Sequence, residues 1–188
     1  MAGDLAAFRS FTTVLPRMRN LCLLVGLLLW PVAIYAADLR PAIKREAAKC
    51  AAAWQRNDYE GVLAFLPPRV IQQSGGRPAA LKKIKSQFSL ARDYGVDRMD
   101  FLAGQPSTPI PRAKWLTSLV PLTVVLHRTP LDVTQQTHLL AMSNDQGKRW
   151  FFVPLYRTTQ AKLNVWFPEL AGKIVIPAEV EPELGVAF

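Results

Sequence analysis

Residues 115–155 constrain this chain more than any other stretch, because they are apolar on both parities of an extended backbone. Successive side chains of a strand point to opposite faces. Over residues 114–127, Leu116, Val120, Leu122, Val124 and Leu126 share one parity; Thr117, Leu119, Pro121, Thr123, Val125 and His127 share the other. The even set is predicted to face a core. Pro121 has no N–H to give to a ladder, which predicts a bulge or a partly open edge there. A second strand is predicted over 133–143, then a turn at Asn144-Asp145-Gln146-Gly147, whose residues tolerate or supply positive φ, then a return strand over 148–155. Pairing Ser143 with Lys148 would set Leu139 opposite Phe152 and Ala141 opposite Trp150 on one side. It would set Leu140 opposite Phe151 and His138 opposite Val153 on the other. Trp150-Phe151-Phe152-Val153 loads both faces with bulk, whereas a sheet with one wet face alternates cleanly. Helices are therefore expected on one face, and the C-terminal tail or a second subunit on the other.

Ahead of the strands lie three helical patterns. Over 40–56, Ile43, Ala47, Cys50, Ala51 and Trp54 recur on one stripe behind a first-turn Pro41. Asn57 or Asp58 can cap a short helix over 59–66, which Pro67-Pro68 is expected to stop. Residues 69–73 read as extended, and Ser74-Gly75-Gly76 as a turn; no Gly-Lys-Ser/Thr follows to make a phosphate loop. A third helix over 78–94 carries Leu81, Ile84, Phe88 and Ala91 on its buried stripe, with Gly95 at its C-terminal end. Lys82, Lys83 and Lys85 lie off that stripe and read as a solvated face, a specific anion site being the alternative. Residues 96–102 read as a first strand and the proline-rich 104–112 as a loop. Beyond Leu155 the pattern weakens: 163–167 is apolar, 173–176 is a candidate short strand, and 177–188 an acidic, loose tail.

The first 37 residues are of a different kind. Arg17 and Arg19 precede an apolar core over 21–30, Pro31 breaks it, and Ala36-Ala37 follow. This is the plan of a secretory signal. Translation starting at Met18 would give it a more usual length. The alternative is an uncleaved anchor, since 21–37 holds 17 uncharged residues, at the short limit of the roughly 17–25 that span a bilayer. Both readings export the rest of the chain, to the periplasm or beyond. The expected organisation is thus a signal or anchor over 1–37, one domain over 38–160, and a C-terminal extension over 161–188. Net charge is +9 over 188 residues; taking away the leader's three arginines and one aspartate leaves 20 basic and 13 acidic residues, or +7. That balance favours anionic partners. The basic groups are scattered, so nucleic acid is not expected. Cys22 lies in the leader, which leaves Cys50 alone in the body, without a disulfide partner or a cysteine metal cluster.

The order helix, short helix, helix, then mostly antiparallel sheet resembles the nuclear-transport-factor-2-like superfamily, with its SnoaL-like and ketosteroid-isomerase-like domains. The residues that carry it are Trp54-Gln55-Arg56-Asn57-Asp58-Tyr59 leading into Val62-Leu63, Gly75-Gly76 before the third helix, and Ser143-Asn144-Asp145-Gln146-Gly147-Lys148-Arg149-Trp150. The resemblance covers residues 40–156. It implies an α+β fold in which N-terminal helices pack on a curved, mostly antiparallel sheet, a cone-shaped, cystatin-like roll, often dimerising through the outer sheet face. It does not imply an enzyme, because function lives in the site and not in the fold.

No aspartate base with a tyrosine donor aligns, so no catalytic residue is assigned. His127 and His138 fall on one face, with no third ligand at metal spacing. Asp93, Asp97 and Asp100 read as surface carboxylates around a turn. Trp54, Tyr59, Trp115, His138 and Trp150 are the candidate ligand-binding residues, although aromatics at the spacings of the tryptophans and Tyr59 are usually core. No cofactor or metal is expected. Three readings stand: a non-catalytic exported domain that binds a small apolar ligand or an envelope protein; a pocket enzyme of isomerase or hydrolase type using His138 or an aspartate; and a protein-binding accessory or inhibitor module.

Overall fold

The computed structural model describes residues 39–156 and 158–177. The leader over 1–37 and the tail beyond residue 177 lie outside them. Among the described residues no helix is long and apolar enough to cross a membrane.

Helices come first. α1 (Leu39–Gln55) buries Ile43, Ala47, Cys50 and Ala51, as helical spacing predicts, and with them Ala53, while Trp54 of the predicted stripe is only half-buried. Asp58 caps α2 (Tyr59–Phe65), its carboxylate accepting from the Gly61 N–H at 2.9 Å. The expected extended segment at 69–73 is instead a helix, α3 (Pro68–Gln73). Pro67-Pro68 does stop α2, but Pro68 also sits in the first turn of α3, where its missing N–H has no partner to lose. Gly75 and Gly76 follow with φ of +92° and +86°, a reversal that a β-carbon would oppose. They launch α4 (Gly76–Asp93), which buries Ala80, Ile84 and Phe88.

The strands are β1 (Val96–Ala103), β2 (Ile110–Arg112), β3 (Trp115–Arg128), β4 (Val133–Ser143) and β5 (Phe151–Pro154). The loop expected over 104–112 thus contains a short strand. The pairing is antiparallel throughout, in the order β1-β3-β4-β5, with β2 beside β3 on the same edge as β1. The sheet is strongly curled into a half-barrel behind the helices, an α+β architecture. β3 is central, and Pro121 lies in the interval between the β1 and β2 pairings. Its carbonyl accepts from Gly104 N on that side at 2.8 Å. Its missing N–H faces the same interval, so no ladder bond is lost. A β-carbon on Gly104 would come within 3.2 Å of the Pro121 side chain, which explains a glycine at this close approach.

The β4–β5 pairing differs from the expected one by two residues. Leu139 faces Pro154, Leu140 faces Val153, and Ala141 faces Phe152. A two-residue shift preserves parity, so each side chain keeps its predicted face. The cause is a longer turn. The Ser143 hydroxyl donates to Asp145 at 2.8 Å and accepts from Gly147 N at 2.9 Å, and Asp145 accepts from Arg149 N at 3.0 Å. Lys148 to Trp150 belong to this turn and not to a strand.

Both sheet faces are covered. On the concave face Val120, Leu139, Ala141 and Phe152 meet Ile43, Ala47 and Cys50 of α1. On the outer face Leu140, Phe151 and Val153 meet Leu163, Phe167, Leu170 and Ile174. These come from α5 (Gln160–Trp166), a 3-10 turn (Pro168–Leu170) and the segment after it. The expected strand over 173–176 does not form: Ile174 is buried, Val175 is exposed, and Gln160 holds the Ile176 N–H. Glu169 ties this cover down by accepting from Trp115 Nε1 at 3.0 Å and from Arg69 at 3.2 Å. The other end of the outer face, around Thr123 and Gln136, is left open among the described residues, and those two side chains hydrogen-bond at 3.0 Å.

Candidate functional site

The concave face is filled by α1 at one end only. Under α4 a cavity of about 430 Å³ remains, within the roughly 300–1,000 Å³ of ordinary ligand sites. Leu122, Val124 and Leu139 form its floor, Trp54 and Phe101 one wall, and Ile84 and Phe88 the roof. Trp54 stacks on Phe88 with centroids 5.4 Å apart and leans on Phe101 at 5.8 Å. These rings brace each other across the wall. Leu90 of α4 and Tyr94 just after it stand at the rim, 47% and 55% exposed.

The polar groups are few. Thr137, on the floor, is 4% exposed, and its hydroxyl has no hydrogen-bond partner among the described residues. Gln87 and Gln135 also contribute to the lining. The only charged side chains lining the cavity, among the described residues, are Lys83 of α4 and Lys162 of α5. Lys162 is half-buried, with its ammonium 4.9 Å from the Trp166 ring centroid. Burial, and then the nearby charge of Lys83, push its pKa below the usual lysine value.

Of the five candidate residues only Trp54 lies on the cavity wall. Tyr59 sits behind it, edge-on to Phe88 at 5.2 Å, with Lys85 over its ring. Trp115 is buried on the outer face against Phe167, its N–H held by Glu169. Trp150 is buried under α1, and its N–H lacks a partner among the described residues. His138 pairs with Pro121 on the outer face, away from the cavity. On that face, His138 is therefore not among the residues that line this cavity. The β-strand alternation had already placed it there; what was missing was which face holds the cavity.

His127 shares that outer face and gathers a polar cluster of its own. One ring nitrogen lies 2.8 Å from Asp132 and the other 2.9 Å from Asp100, which also accepts from Gln55 at 2.9 Å. The hydrogen bond to Asp100 raises the His127 pKa and lowers that of Asp100. Asp93 and Asp97 do not join it, and among the described residues no group of three acidic, histidine or cysteine side chains could hold a metal. Cys50 is inert: burial pushes its thiol up to about 12.

Comparison with protein-family models, with curated proteins and with solved structures found no match for this chain.

Thr137, Lys162 and Trp166 were not singled out as site residues from the sequence. Thr137 did leave a signal. It and Gln135 are polar on the same parity as Leu139 and Ala141, a break in an otherwise apolar face.

Proposed function

We propose that this chain is an exported, non-catalytic binding domain of nuclear-transport-factor-2-like type that takes a small apolar ligand into the cavity under α4. The observation that carries the reading is the cavity itself: about 430 Å³, walled by aromatic and aliphatic side chains from helices and sheet alike. Its lining holds no carboxylate and no histidine among the described residues, so the usual acid–base pair is not at hand. The helix order and the half-barrel sheet support the family resemblance. The arginine-flanked apolar run at 21–30 supports export. A second copy on the outer sheet face belongs to the proposal only at the end the C-terminal segment leaves open.

The test is native mass spectrometry of protein recovered from the export compartment, with titration by an uncharged solvatochromic dye. Ala91 lines the cavity half-buried on α4, so Ala91→Trp should fill it without opening the core. Wild type should carry or accept a few hundred daltons of ligand, and A91W should not. Equal dye binding by both would sink the reading. So would turnover of a metabolite abolished by A91W.

A further inference from the structure

We infer that the ligand is a one-tailed amphiphile with an anionic head, a long-chain carboxylic acid in its simplest form, whose head is held by Lys83 and Lys162 and whose tail fills the cavity. The inference rests on the cavity being a binding site and adds what enters it.

The argument is charge complementarity at the edge of an apolar space. Two ammonium groups line one cavity, on α4 and on α5. Neither forms an ion pair among the described residues, although other lysines do, Lys49 with Glu46 and Lys114 with Glu169. Like charges brought together without a counter-ion repel, and partial burial adds to the penalty. Lys162 bears the larger share, since it is half-buried and, among the described residues, has only the face of Trp166 for company. An incoming anion relieves both. No carboxylate lines the cavity among the described residues, so nothing competes for that role or repels the head. Inward from the lysines the floor is Leu122, Val124 and Leu139, with Phe88 and Phe101 around it, a surface suited to methylene groups. The two lysines lie on elements that enclose the cavity from different sides, so a head bound between them would also tie α5 to α4.

The probe is 11-(dansylamino)undecanoic acid, titrated into the full chain beside its methyl ester, which has the same body and no charge. Wild type should bind the acid about tenfold tighter than the ester, the size of one charge-assisted contact. In K83E/K162E the preference should vanish or reverse while ester affinity stays the same. In K83Q/K162Q, a milder change, it should fall to about one. Raising the salt concentration should narrow the acid–ester gap in wild type alone. Unlabelled long-chain acid should displace the probe, and vesicles of phosphatidylglycerol should not. Equal binding of acid and ester by wild type, an unchanged preference in both double variants, or displacement by vesicles alone would overturn the inference. Failure of both probes to bind wild type would instead overturn the binding role of the cavity.

Discussion

The two ends of the concave sheet face are built from the same strands and end differently. Under α1 the face is solid: Val120, Ala141 and Phe152 are at most 1% exposed beneath Ile43 and Ala47, which are fully buried. Under α4 it is hollow. The difference lies in what each helix turns toward the sheet. α1 offers Ala47, Cys50 and Ala51, small groups among which strand side chains can settle. α4 offers Phe88, but that ring stacks on Trp54 and meets Tyr59, so its bulk is spent on the neighbouring helices and not on the floor. Aromatic bulk on a helix does not by itself close the space below it; the direction in which the ring is recruited decides.

Four measurements would break or sharpen that contrast. Phe152→Ala, in the solid end, should cost about 3–5 kcal/mol in chemical denaturation, with dye binding per folded molecule unchanged. A loss under about 1 kcal/mol would mean the solid end is no better packed than the hollow one. Next come two buried hydroxyls of β4. Ser143 is fully buried and satisfied, holding Asp145 and Gly147 N, so Ser143→Ala should cost about 1–3 kcal/mol. Thr137 is buried and unsatisfied, so Thr137→Val should be neutral or raise the melting temperature by about 2–4 °C. If Thr137→Val destabilised as much as Ser143→Ala, the floor would be dry packing and not an unfinished polar site. The smallest effect lies outside both ends. The His127 pKa is raised in the fold, so its contribution is full below about 6.5 and fades as pH rises through the higher folded-state value. Urea midpoints between pH 6 and 9 should show that decline in wild type and lose it in His127→Gln, with dye binding the same in both. A midpoint rising over that range would contradict the hydrogen bonding described.

Much of this fold could be read in the sequence. The α1 stripe and the strand parities follow from periods of 3.6 and 2, which survive any shift of register by two. That is why the β4–β5 pairing could be displaced while every side chain stayed on its predicted face. The α3 helix was missed because Pro67-Pro68 reads as a terminator, whereas the second proline also opens the next turn. The site was legible only in fragments. Trp54 was named with Tyr59, Trp115 and Trp150 as aromatics able to line an apolar pocket, and of these four it alone lines the cavity among the described residues. Lys162 could not be found: its helix has seven residues, its neighbourhood carries a weak pattern, and its proposed role depends on lining the same cavity as Lys83. Cavities arise from the curl of a sheet and the seating of distant segments, and no local period encodes either.

The buried Cys50 has a practical consequence. Its thiol is 2% exposed and its pKa is pushed up to about 12, so in the closed fold it is neither reachable nor nucleophilic. Any alkylating reagent must wait for α1 to lift from the sheet. With Cys22 replaced, the chain carries a single stopwatch at the centre of its solid end. The rate at which that thiol is trapped reads how often the helix lets go.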